Sequence, residues 1–148
     1  MSTDEDYDVV VVAARDAWPE YEKFHAYVCQ RNRRLPAKRM AFYSKNNIYP
    51  LVPTILHSYE DIEMKRNVYE GELGRLANRL LEAGPRTEGK RYKVVFLSAP
   101  DSLETIKLPR AIPNDKKSHS GKGTAFTMGQ RYVSLEALLA AKTTSDLE

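Results

Sequence analysis

The most continuous apolar signal in the chain is Tyr7 to Ala14 (YDVVVVAA), a β-branched run bounded by charge at both ends. At that length it reads as a central strand buried on both faces. Asp16 to Pro19 then offers helix-start chemistry, with proline early, where its missing N–H costs little. Tyr21, Phe24 and Val28 recur at helical spacing and predict an aromatic-faced helix through Val28. Gln30 to Ala37 (QRNRRLPA) is polar, basic and closed by Pro36, so it reads as a loop.

Arg39 to Ser44 reads as a second strand, Lys45 to Asn47 as a turn in which asparagine tolerates positive φ, and Ile48 onward as the return limb. Pro50 and Pro53 cannot donate ladder hydrogen bonds, so Ile48 to Pro53 should be irregular or at an edge, with regular pairing resuming near Thr54 to Ser58. Tyr59 to Arg66 continues as strand or turn. Leu73, Leu76, Leu80 and Leu81 share one stripe and predict a helix over Tyr69 to Ala83, stopped by Gly84-Pro85. Gly71 and Gly74 weaken its first turns.

Arg91 to Ser98 (RYKVVFLS) is a further apolar strand, and Glu104 to Leu108 can pair as an edge strand. Asp115 to Gly123 (DKKSHSGKG) reads as a flexible basic loop. Thr124 to Thr127 and Gln130 to Val133 read as a last short strand pair. Ser134 should cap a helix with Leu135, Leu138 and Leu139 inward, and Thr143 or Ser145 a further turn. The sum is an α+β domain: a curved mixed sheet or partial barrel with about three flanking helices, over residues 7–148, preceded by an acidic, disordered N-terminus at residues 1–6.

Composition narrows the function classes. The chain has 148 residues, 42% hydrophobic and 29% charged, and no apolar run near the roughly 20 residues that span a bilayer. No membrane partner is expected. The first residues lack a secretory pattern and Cys29, read as a small buried residue at a helix end, is the one cysteine, which together favour a cytoplasmic location.

The formal charge of +3 conceals an asymmetry, because Asp4, Glu5, Asp6 and Asp8 crowd the N-terminus. Arg31, Arg33, Arg34, Lys38 and Arg39 fill one segment, and Lys107, Arg110, Lys116, Lys117, Lys122 and Arg131 another. Two basic segments suggest a polyanion partner.

With the strands placed, the chain resembles the PUA-like superfamily, and most nearly its EVE and ASCH branches, relatives of the YTH readers. The resemblance rests on the first strand followed by Trp18 and a helix, on Lys38 to Ser44 with its return at Thr54-Ile55-Leu56, and on the strands Arg91 to Phe96 and Thr105 to Leu108. The sequence departs from the EVE pattern where Ala37-Lys38 stands in place of a Gly-Asp pair. The resemblance implies a nucleic-acid-binding domain, for RNA or DNA, that seats a modified or flipped base in an aromatic pocket.

Candidate site residues follow from phosphate needing cations and bases needing planar faces. Trp18, Tyr43 and Tyr49 offer faces. Arg34, Lys45, Arg110, Lys116, Lys117 and Arg131 offer cations.

Two other classes compete. Pro100-Asp101 with Asp115-Lys116-Lys117 imitates the two carboxylates and lysine of metal-dependent nucleases. Tyr21, Phe24 or the Leu135 to Leu139 helix would serve a protein-interaction module. His25, His57, His119 and Cys29 have no metal-ligand spacing, and neither a catalytic residue nor a cofactor is expected.

Overall fold

The computed structural model describes residues 8–83 and 86–147; the expected acidic N-terminal segment, Tyr7 and the Gly84-Pro85 helix stop lie outside the described residues. The architecture is α+β, with a curled, half-barrel sheet of five strands and three α-helices among the described residues. Strand β1 (Val9–Ala13) lies inside that sheet, parallel to β3 (Arg39–Ser44) and antiparallel to β10 (Gln130–Val133). The sheet is completed by β4 (Asn47–Ile48) and β9 (Ile112–Pro113), in the order β10-β1-β3-β4-β9.

The unbroken valine run of β1 has a direct cause. Val9 and Val11 pack with Ala41, Tyr43, Ile48, Phe126 and Leu138, whereas Val10 and Val12 pack with Tyr21, Met40, Phe42, Val95 and Leu97. Both faces are covered, so neither carries polar positions.

Helix α1 (Ala17–Phe24) ends sooner than its apolar spacing suggests. His25 adopts φ 56° and its N–H bonds to Tyr21 O, turning the chain into β2 (Ala26–Gln30). Val28 and Cys29 are therefore strand residues, correcting the helical reading of this stretch. An αL stop at a residue other than glycine or asparagine leaves little trace in sequence.

Strand β2 pairs with β7 (Arg91–Leu97), which pairs in turn with β6 (Ile55–Glu63) to form a three-stranded sheet. Between β4 and β6 the two prolines isolate β5 (Leu51–Val52), which pairs with β8 (Ile106–Lys107).

Helix α2 (Gly71–Ala83) lays Leu73, Leu76, Ala77 and Leu80 on Val28, Tyr92, Val94 and Phe96. Gly71, at φ +62°, turns the chain into it. Helix α3 (Leu135–Ala140) is capped as expected, with Ser134 Oγ accepting from Ala137 N at 3.0 Å. Leu138 points inward, but Leu139 is exposed, because adjacent helical residues project about 100° apart. Thr124 to Thr127 forms no strand; Phe126 plugs the core with Ala125 packed beside it, and Gln130–Val133 pairs with β1 instead. No helix among the described residues is long and apolar enough to cross a membrane.

Candidate nucleic-acid interface

The parallel strands β1 and β3 end side by side, with Ala13 opposite Tyr43. Four segments converge there. The chain leaves β1 through Ala14, whose N–H bonds Tyr43 O at 2.8 Å, and enters α1 at Trp18. It leaves β3 through the Lys45-Asn46 turn. The segment before β10 returns with Gly129 O accepting from Ala13 N at 2.9 Å, leaving Met128 exposed. Residues 114–124 close the rim, tied to the turn by Asn114 N bonding Asn46 O at 2.9 Å.

Trp18 is half-buried, edge-on to Tyr49 with ring centres 4.5 Å apart, and backed by Phe42 and Tyr21 at 5.4 and 5.7 Å. Tyr49 is half-buried as well. Tyr43 does not join them. It is 8% exposed and lies on the opposite face of β3, packed on Phe126, so the expectation that Tyr43 faces a ligand is corrected. Neighbouring strand residues point to opposite faces, and Phe42 faces the Trp18 side. The planar surface at this end is therefore Trp18 with Tyr49.

The basic segment is not the flexible loop expected. Ser118 N bonds Lys122 O at 2.8 Å, Gly121 N bonds Ser118 O at 2.9 Å, and Thr124 N bonds Lys116 O at 3.0 Å, making a short hairpin with a Lys117–Gly123 bridge. Gly121 supplies the φ of +82° that its tip requires.

Asn114 anchors the base of this hairpin. Its Nδ2 donates to Thr124 O at 2.6 Å, Asn46 Oδ1 at 3.0 Å and Tyr43 Oη at 3.2 Å, and its Oδ1 accepts from Lys116 N at 3.1 Å. The buried Tyr43 thus supports the hairpin instead of meeting a ligand.

Lys116, Lys117 and Lys122 project from the hairpin and Lys45 from the neighbouring turn, all exposed. None of the four is within ion-pair distance of a carboxylate among the described residues. Lys45 and Asn46 have φ of 51° and 64°, the pair of positive values that a type I′ hairpin turn demands.

The remaining predicted cations are Arg131, Arg110 and Arg34. Arg131 sits on β10 with its guanidinium 4.3 Å from the centre of the Phe126 ring and NH1 donating to Phe126 O at 3.4 Å. Arg110 is exposed in the segment between β8 and β9. Arg34 is exposed beside Leu35, on the face of the five-stranded sheet that also carries Trp18 and Tyr49. Its carbonyl accepts from Gln130 Nε2 at 2.9 Å, and it lines a cleft of about 310 Å³ with Leu35, Ile55, Ser58, Glu60 and Lys93.

Lys93 and Asn114 were absent from the expected site. Lys93 is 4% exposed and donates to Arg33 O at 2.8 Å and Glu60 Oε1 at 2.9 Å. Its trace in sequence is a single cation interrupting an apolar strand. Cys29 lies opposite it in the β2–β7 register, and burial pushes the Cys29 thiol up from its ordinary pKa.

Asp115, one half of the nuclease-like pattern, is occupied by structural contacts. Oδ1 accepts from Ser145 N at 2.9 Å, and Oδ2 from Ser145 Oγ at 2.7 Å and Thr143 Oγ1 at 2.9 Å. The Ser145 and Thr143 hydroxyls hold its pKa down to about 2. A carboxyl depressed in the folded state contributes stability above its unfolded pKa and loses it as the pH falls through the folded value. The protection of the amides of residues 116–124, their exchange relative to the intrinsic rate at each pH, is therefore expected to hold down to about pH 4 and to fall as the pH approaches about 2. Exchange governed by intrinsic chemistry alone would contradict this.

Comparison of the chain with models of protein families, with curated proteins and with solved structures finds no match.

Proposed function

We propose that this chain is a non-catalytic, PUA-like nucleic-acid-binding domain whose contact surface is the end of the five-stranded sheet. The observation that carries the reading is the group of four exposed lysines without carboxylate partners among the described residues, Lys45, Lys116, Lys117 and Lys122, on a hydrogen-bonded hairpin and its adjoining turn. The half-buried Trp18–Tyr49 pair at the same end supplies a planar face. Lysines neutralise phosphates, and an aromatic face stacks an unpaired base. The PUA-like assignment is part of the proposal, supported by the curled sheet, the strand–Trp18–helix order and the β1–β3 pairing.

Trp18 tests the stacking half. Trp18→Leu keeps an apolar contact with Phe42 and Tyr49, and is expected to weaken binding to single-stranded RNA or DNA by roughly 1–3 kcal/mol, the contribution of one stacked base. Unchanged affinity would remove Trp18 from the interface.

Lys45 separates stability from binding. Its positive φ is strained for a side chain with a Cβ, so Lys45→Gly is expected to raise the thermal midpoint while lowering affinity. A fall in both would place the role of Lys45 in the fold.

A further inference from the structure

Asp115 lies between the base of the lysine hairpin and the C-terminal 3₁₀ turn (Thr144–Leu147), and its chain neighbours are the hub Asn114 and Lys116. A carboxylate beside lysines that bind a polyanion is unfavourable by charge alone, since it repels phosphate and lowers the local potential. Its contacts suggest a different role.

Beyond the three hydrogen bonds from Ser145 and Thr143, Thr144 joins the two halves of the structure. Thr144 Oγ1 lies 2.9 Å from Asn114 Oδ1 and 3.0 Å from Asp115 Oδ1, sharing one proton between them, and it accepts from Asp115 N at 3.0 Å. Thr144 is 1% exposed. Asp146 in turn fixes the turn itself, with Oδ2 accepting from Lys142 N at 2.8 Å and Thr143 N at 3.3 Å.

The contacts form a chain from the C-terminal turn through Thr144 and Asp115 to Asn114, and from Asn114 to Lys116, Thr124, Asn46 and Tyr43. We infer that the C-terminal turn is a latch that holds the lysine hairpin in its binding conformation, with Asp115 and Thr144 as positioning residues for nucleic-acid contact. The inference rests on the proposed nucleic-acid reading. Its physical basis is preorganisation: a hairpin already fixed loses less conformational freedom when its lysines meet phosphates.

The latch and simple electrostatics predict opposite signs. Asp115→Asn removes a negative charge, so charge alone predicts tighter binding and a steeper salt dependence. Asn also lacks the second acceptor oxygen that Ser145 and Thr143 use, so the latch predicts weaker binding. Thr144→Val changes no charge and little volume. Charge alone predicts wild-type affinity for it, and the latch predicts an affinity lower by roughly three- to tenfold.

The experiment measures binding of a fluorescein-labelled single-stranded RNA and its DNA counterpart to wild type, Asp115→Asn and Thr144→Val at fixed salt, with amide exchange at Ser118, Gly121 and Thr124 in the free proteins. Weaker binding by both variants with faster exchange at those amides is the expected result. Tighter binding by Asp115→Asn, wild-type binding by Thr144→Val, or unchanged exchange would each overturn the latch. If Thr144→Val does not fold, the exposed Asp115→Asn variant alone decides by its sign. Failure of the wild type to bind either probe refutes the nucleic-acid reading, and the exchange measurements then still decide whether the turn holds the hairpin.

Discussion

Replacing Lys116, Lys117 and Lys122 together with glutamine is expected to abolish measurable nucleic-acid binding at about 0.15 M salt, where exposed charges act over about 8 Å. The three side chains share one hairpin, are exposed and have no carboxylate partner among the described residues, so their loss leaves no new unpaired charge among those residues. The fold should be little affected, since exposed substitutions of this kind change stability by about 0.5 kcal/mol or less.

At low salt, where residual binding is measurable, log K against log salt should flatten by roughly 2–3 units for three lost phosphate contacts, at about 0.7–0.9 per contact. Neutralising Arg110 and Arg131 instead should leave the slope within about one unit of wild type. A triple variant with the wild-type slope would place the phosphate contacts elsewhere, the Arg34–Lys93 cleft being the alternative surface.

Gly74→Ala should produce the largest stability loss of any single methyl addition at a helical position. In a solvent-exposed helix the same change stabilises by about 1 kcal/mol. Here a Cβ would lie 2.1 Å from Tyr69 O and 2.8 Å from Tyr69 C, well inside van der Waals contact. The obstructing carbonyl cannot readily withdraw. Tyr69 Oη donates to Glu63 O at 2.5 Å, and the preceding segment is tied to α2 by Asn67 N bonding Asn78 Oδ1 at 3.0 Å and Asn78 Nδ2 bonding Asn67 Oδ1 at 3.1 Å.

The helix start must therefore shift, which loosens Leu73 and Leu76 on β7. Overpacking of this kind costs about 1–3 kcal/mol, and a net loss of about 2 kcal/mol lowers the midpoint of a domain this size by about 4–8 °C. An unchanged or raised midpoint would contradict the geometry. Nucleic-acid binding at a temperature where the variant is folded should be unaffected, because α2 covers the β6–β7 sheet and not the rim.

The parts of the fold legible in the sequence are those where one residue type serves one environment. The valines of β1 announce a strand covered on both faces, and the leucine stripe of α2 announces a helix on a sheet. Pro50 and Pro53 mark where the return limb breaks. The glycines of α2 were legible as helix weakeners, but the reason for Gly74, a carbonyl five residues back, lies in the local backbone path at the helix start, which residue type does not record.

Strand β2 was hidden because Tyr21, Phe24 and Val28 fit a helical spacing, and the αL conformation of His25 that ends the helix is not written in residue type. Tyr43 was misread for a related reason. A tyrosine beside a basic turn resembles a ligand face, yet Ala41 and Tyr43 face a second core as thoroughly buried as that of Met40 and Phe42.

Within the candidate site, Trp18, Lys45, Lys116 and Lys117 were legible from their types, and the structure brings them to one end of the sheet. Arg34 lies beside Leu35 on the Trp18 face, and Arg131 contacts Phe126. The hub Asn114 was not legible, because its partners at residues 43, 46, 124 and 144 meet only after folding.

The most direct test of the central claim is a fluorescence-anisotropy titration of the wild-type protein with short single-stranded RNA and DNA over a series of salt concentrations. A lysine rim that holds phosphates should bind at low salt and weaken linearly in log K against log salt, with a slope set by its lysines. Absence of binding to either polymer at low salt, or an affinity indifferent to salt, would contradict it.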